Sequence, residues 1–110
     1  MREARITVFN SVDASVDQIS APIIMEQVSA LSVQAIITGG SSGTLNVLAS
    51  NEGSNPQNFI LIPSATVSIT GAGVFLIPVI GISYEWVQIQ FVHGNGTAGT
   101  LTVNTKSDGY

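Results

Sequence analysis

Apolar and polar residues alternate with a period of two along much of this chain. Leu45, Val47 and Ala49 share one face of a segment whose other face carries Thr44, Asn46 and Ser50. Val87, Ile89 and Phe91 oppose Gln88 and Gln90, and Leu101 and Val103 oppose Thr100, Thr102 and Asn104. A split of this kind predicts strands with one face packed and the other in water or against a partner. Strands are expected near Arg5–Asn10, Ile23–Gln27, Ser32–Thr38, Thr44–Ser50, Asn58–Ile62, Thr66–Thr70, Val74–Pro78, Trp86–Val92 and Thr100–Lys106. Turn signals separate them at intervals of about ten residues, the spacing of a sandwich or barrel. Residues Ile24 to Leu31 show no convincing helical stripe.

One unit is written twice. Residues 33–47 and 87–103 each open with Val-Gln, run apolar, cross a glycine-rich turn and return as Gly-Thr-Leu-x-Val. Gly39-Gly40 and Gly94-Asn95-Gly96 supply the positive φ that tight tips require, so both units read as β-hairpins. Gly71-Ala72-Gly73 reads as a third hairpin tip, and Asn51 to Pro56 as a longer polar loop. Pro22, Pro63 and Pro78 fit strand ends or edges, where no ladder N–H is lost. The expected fold is all-β: one antiparallel β-sandwich, jelly-roll-like, with about eight or nine short strands over residues 1–110.

Composition narrows the functions. Charged residues make up 9% of the chain, against about 25% in ordinary soluble domains. Three Lys and Arg against seven Asp and Glu leave a net charge of −4. Arg2, Arg5 and Lys106 lie at the ends, with no Lys or Arg between Arg5 and Lys106. Nucleic acid and anionic membranes are therefore not expected partners, because both need clustered basic residues. There are no cysteines, which removes disulfides and thiolate metal sites. No segment has the form of a signal peptide or an apolar span, so the chain reads as soluble and made without export.

Candidate chemistry is sparse. His93 is the only histidine; it could pair with Ser83 or Glu85, but no nucleophile motif frames it, and it reads as a polar turn residue. Asp13, Asp17 and Glu26 could offer oxygen ligands but lack a calcium-loop pattern. Gly39 to Gly43 lacks the Lys-Ser/Thr of a phosphate loop. Asn95-Gly96-Thr97 is a glycosylation sequon that matters only on a secretory route. No catalytic residue, cofactor or metal is expected. Trp86, Tyr84, Phe59 and Phe75 could form a sugar-stacking platform; the favoured alternative has Trp86 capping the core, its direction reversed by a bulge.

The segment Ser-Gly-Thr-Leu-Asn-Val-Leu-Ala-Ser-Asn-Glu-Gly (42–53), then Thr-Val-Ser-Ile-Thr-Gly-Ala-Gly (66–73), Tyr84-Glu85-Trp86-Val87-Gln88-Ile89 and Gly99-Thr100-Leu101-Thr102-Val103 resembles small virion β-sandwich proteins of tailed bacteriophages, of the head decoration or cement type. The order is also similar to discoidin-like jelly rolls, but Glu52-Gly53 replaces an Asp-Gly turn and Gln88 stands where an Arg is expected. The phage resemblance implies a structural role on the outer surface of a capsid. The major capsid protein would be the partner, and the chain a homo-oligomer, dimer or trimer.

Missing edge lysines point the same way: unprotected edges either pair with a neighbour or are blunted by bulges and prolines. Contacts are expected from strand edges, from the hairpin tips (Gly39, Gly40, His93, Asn95), from Trp86, and from an N-terminal arm within residues 1–20 carrying Arg2, Glu3 and Arg5. A plain first strand is the arm's alternative. A carbohydrate-binding or adhesive module of a phage tail or fibre is the alternative function.

Overall fold

A computed structural model describes residues 2–25, 28–52, 57–80 and 84–109. Glu26 and Gln27, much of the polar loop (53–56) and Ser83 lie outside them. Among the described residues, nine strands form two antiparallel sheets. These are β1 (Arg2–Asp13), β2 (Gln18–Ile19), β3 (Ile23–Ile24), β4 (Val28–Thr38), β5 (Gly43–Ser50), β6 (Ile60–Ile69), β7 (Gly73–Ile80), β8 (Trp86–His93) and β9 (Thr100–Gly109). One sheet runs β1-β9-β4-β7 and the other β2-β8-β5-β6, with β3 also on β8. No described residue is helical. The β-sandwich read from the sequence is the fold, and its strand order is that of a jelly roll.

The doubled unit does not fold as two hairpins. β4 and β5 lie in different sheets, and so do β8 and β9. Each copy is an arch that leaves one sheet and returns in the other, and the two copies pair with each other. Val33↔Thr105, Ala35↔Val103 and Ile37↔Leu101 in one sheet match Val87↔Ala49, Ile89↔Val47 and Phe91↔Leu45 in the other, equivalent position for equivalent position. The repeat therefore makes an approximate internal two-fold. All twelve of these side chains are buried, so the arches supply the centre of the core. An isolated hairpin would pair its two halves side by side and leave one face without a cover. The arch instead sets the two halves against each other as the two walls of the sandwich. The Gly71–Gly73 turn also crosses between sheets rather than closing a hairpin.

Two expected strands, 58–62 and 66–70, are one bulged strand. Between Leu61 and Thr66 the register against β5 slips, and Ser64 takes φ 66°. Ile62 and Ala65 stay buried while Pro63 and Ser64 loop out into solvent. The two-residue β2 is an element that sequence alternation did not mark.

The edges are blunted. β1 carries register shifts at Thr7/Phe9 and Phe9/Val12, with Ser11 at φ 53°. β6 carries the Pro63-Ser64 bulge, β2 and β3 are two residues each, and β7 carries Pro78. The β4–β7 ladder runs through Ser32↔Pro78 without a slip. A proline there has no N–H to give β4, so it occupies a position whose hydrogen-bonding groups face the open edge. Bulges, short strands and proline thus replace the missing lysines. The first residues are no detached arm: Arg2, Glu3 and Arg5 pair with Gly109, Asp108 and Lys106 along β9.

Candidate functional site

Gly39, Gly40, His93 and Asn95 meet at one end of the sandwich, where the two arch tips interlock. Ser42 donates its N–H to Asn95 O at 2.8 Å, and Gly94 donates to Ser42 O at 2.8 Å. Ser41, fully buried, donates its hydroxyl to Ala98 O at 2.6 Å. Gly39 and Gly96 are needed for this contact: a Cβ on Gly39 would strike the Gly99 backbone and one on Gly96 the Gly40 carbonyl, and the two have φ 86° and 97°. The tips are exposed but knitted together, which makes this end a rigid surface and not a pair of loose loops.

His93 is half-buried here. Its backbone N–H donates to Asp17 Oδ1 at 2.7 Å, and its ring Nδ1 lies 3.1 Å from Ala14 O. A carbonyl can only accept, so Nδ1 carries the hydrogen. Asp13 accepts the Ser15 hydroxyl at 2.6 Å and the Ser15 N–H at 2.8 Å. Those bonds, the hydroxyl first, hold the Asp13 carboxyl below the usual aspartate value. Asp13 and Asp17 are thus loop-fixing acceptors, and among the described residues no three metal-ligating side chains cluster. Ser83, the proposed partner of His93, and Glu26 of the acidic trio lie outside the described residues.

Trp86 lies elsewhere, at the far end of β8 from His93. Alternation along β8 is unbroken: Val87, Ile89 and Phe91 are buried, and Trp86, Gln88 and Gln90 are half-buried on the opposite face. No bulge turns Trp86 inward, so its reading as a core cap is replaced by a position on the outer face of the sheet. It pairs with Ile24 and Ser50. Beside it runs a line of side-chain bonds: Thr66 Oγ1 donates to Asn46 Oδ1 (2.6 Å), and Asn46 Nδ2 to Gln90 Oε1 (3.1 Å). Exposed Ile19, Ile24 and Leu61 flank this face. The four-aromatic platform does not assemble, because Phe75 and Tyr84 pack against the core from other strands and loops.

Two grooves lie on the described surface away from the arch tips. One, about 370 Å³, is lined by Tyr84, Asn51, Glu52, Asn58 and Ile60 among others. Glu52 organises it, accepting the N–H groups of Asn58 and Gln57 (the latter at 2.9 Å), the Asn58 side-chain amide at 3.1 Å and the Ser50 hydroxyl at 3.3 Å. The bond from the Asn58 N–H, then that from Gln57, holds its carboxyl below the usual glutamate value. The other groove, about 540 Å³, crosses the outer face of the β1-β9-β4-β7 sheet. Arg5 belongs to it. Reading the sequence did not find this groove, because strand register alone joins its residues.

No protein-family model matches the chain, and none of the curated proteins matches it. Solved structures do. The SPBc2 prophage-derived protein YomS is similar at TM-score 0.63 and 16% identity, over 96% of this chain and 92% of that one. The PBSX exported protein XepA is similar at TM-score 0.75 and 12% identity over 97% of this chain, which spans only 37% of XepA. A chitosan-binding module of a chitosanase/glucanase from Paenibacillus sp. IK-5 is similar at TM-score 0.52 and 13% identity, over 92% of this chain and 74% of the module. At such identities the likeness is one of fold: this chain is a jelly-roll β-sandwich of a kind found in prophage proteins and in glycan-binding modules.

Proposed function

We propose that the chain is a non-enzymatic structural domain of a phage particle, a decoration protein that binds the outside of the assembled head and bridges adjacent major capsid subunits. The observation that carries this reading is the likeness to a prophage-derived protein along nearly the whole length of both chains. A charge-poor sandwich whose outer faces expose Ile19, Ile24, Val74 and Leu76 agrees with it. With every edge blunted, contacts come from the sheet faces and the interlocked tips instead of from strand addition. Binding the shell and not its free subunits stabilises the shell by mass action, and a dimer or trimer multiplies the effect.

Co-sedimentation with purified heads and with dissociated capsid subunits tests this. The chain is expected to pellet with heads only, with weak dependence on salt because few charges are available to screen. Equal binding to free subunits, or a steep loss at moderate salt, counts against it.

A second reading, a carbohydrate-binding module of a tail or fibre, is favoured by Trp86 on the outer face and by the Tyr84 groove. Retention on immobilised glycans that Trp86→Ala abolishes without unfolding would support it. Retention unchanged by that substitution would oppose it.

A further inference from the structure

The groove on the β1-β9-β4-β7 sheet is built from two ladder rows. Arg5, Lys106, Ser32 and Pro78 are successive partners across the four strands, and Thr7, Asn104, Gln34 and Leu76 form the next row. Adjacent members of a row are about 4.8 Å apart, so the face is a grid of side chains with little slack. Thr7 donates its hydroxyl to Asn104 Oδ1 at 2.9 Å, which fixes that amide and turns its N–H groups away from Thr7. The volume, about 540 Å³, falls in the range of small-ligand sites.

Charge is what sets this groove apart. The chain has three Lys and Arg in all, and two of them, Arg5 and Lys106, line it, while none of its described lining residues is acidic. A protein of net charge −4 thus concentrates its few cations in one groove, next to hydroxyls, amides and the apolar walls of Ile6 and Leu76.

We propose that this groove binds a short stretch of an acidic saccharide, with Arg5 and Lys106 facing its carboxylates and Ser32, Gln34 and Asn104 its hydroxyls. A peptide captured by this fold would use strand addition at an open edge, and the edges are blunted. A face of side-chain amides and hydroxyls instead matches the vicinal hydroxyls of a sugar. The same cations disfavour a cationic glycan such as chitosan. The inference holds wherever in a particle the domain resides, and so goes beyond the decoration reading.

The test titrates the isotope-labelled chain with an oligogalacturonate, with its methyl ester, with polyglutamate and with a chitosan oligomer, following amide resonances. The oligogalacturonate is expected to shift the side-chain amides of Gln34 and Asn104. Arg5→Gln and Lys106→Gln are each expected to weaken binding about tenfold, the worth of one charge-assisted hydrogen bond, with thermal melts confirming the fold. Gln34→Ala should weaken it without changing its salt dependence. Absence of shifts at millimolar oligogalacturonate would overturn the proposal. So would equal binding of the ester or of polyglutamate, or shifts that map to the Tyr84 groove and ignore the Arg5 and Lys106 substitutions.

Discussion

Gly99 packs against the carbonyl oxygen of Thr38 so closely that no side chain could stand in its place. Gly43, its counterpart in the other arch, packs in the same way against the carbonyl of Val92, the counterpart of Thr38. Gly99 also has φ 124°. Ala at either position is expected to destabilise the domain by about 2–3 kcal/mol through overpacking, with Gly99→Ala the worse because its backbone conformation also disfavours a side chain. Gly40, with open space around its Cα, should tolerate Ala within about 0.5 kcal/mol. Denaturant melts of the three variants check this; a Gly40 effect as large as the other two would contradict the interlocked arches.

This relationship also shows what the chain made legible. The inward faces were readable: Leu45, Val47, Val87, Ile89, Phe91, Leu101 and Val103 alternate with polar neighbours in the sequence and are fully buried in the structure. Which strands pair was not readable. A glycine-rich tip between alternating segments looks the same whether the chain folds back beside itself or crosses to the opposite sheet, because the local φ demands are alike. The repeat was the better signal, since two like arches can pair with each other in one register. Trp86 follows the simple alternation of its strand, with no bulge to reverse it. The sheet groove is not legible in the sequence because Arg5, Ser32, Leu76 and Asn104 are far apart in the chain and only strand register joins them.

Trp86 should behave as a surface residue. Trp86→Ala is expected to cost about 1 kcal/mol from its half-buried area, whereas Phe91→Ala, at 0% exposure, should cost about 3–5 kcal/mol. Acrylamide should quench the indole fluorescence of the native protein readily. A strongly protected indole, or equal losses in the two variants, would return Trp86 to the core.

The Glu52 clasp should respond to acid. Its carboxyl is held low in the folded protein by the Asn58 and Gln57 N–H groups, so its contribution is complete above the ordinary glutamate value of about 4.3. It fades as pH falls through the lower, folded value. Titration followed at the Gln57 and Asn58 amides should show a midpoint below that of a free glutamate, and Glu52→Gln should remove the transition. A midpoint at or above the free value would contradict the clasp.

Pro78 should protect the β7 edge. Pro78→Val restores an outward N–H beside exposed Val74 and Leu76 and leaves the β4 ladder whole, so stability should change by less than about 0.5 kcal/mol. Self-association should rise, as light scattering against concentration would show. Unchanged scattering with a large fall in melting temperature would mean that Pro78 supports the fold and does not guard the edge.

The central claim is that this sandwich is a structural part of a phage particle's head, and copy number tests it most directly. Quantitative mass spectrometry of purified particles from the source of this chain should find it in hundreds of copies, comparable with the major capsid protein. A few to a few tens of copies would move it to the tail or fibres, and complete absence from particles would contradict the account.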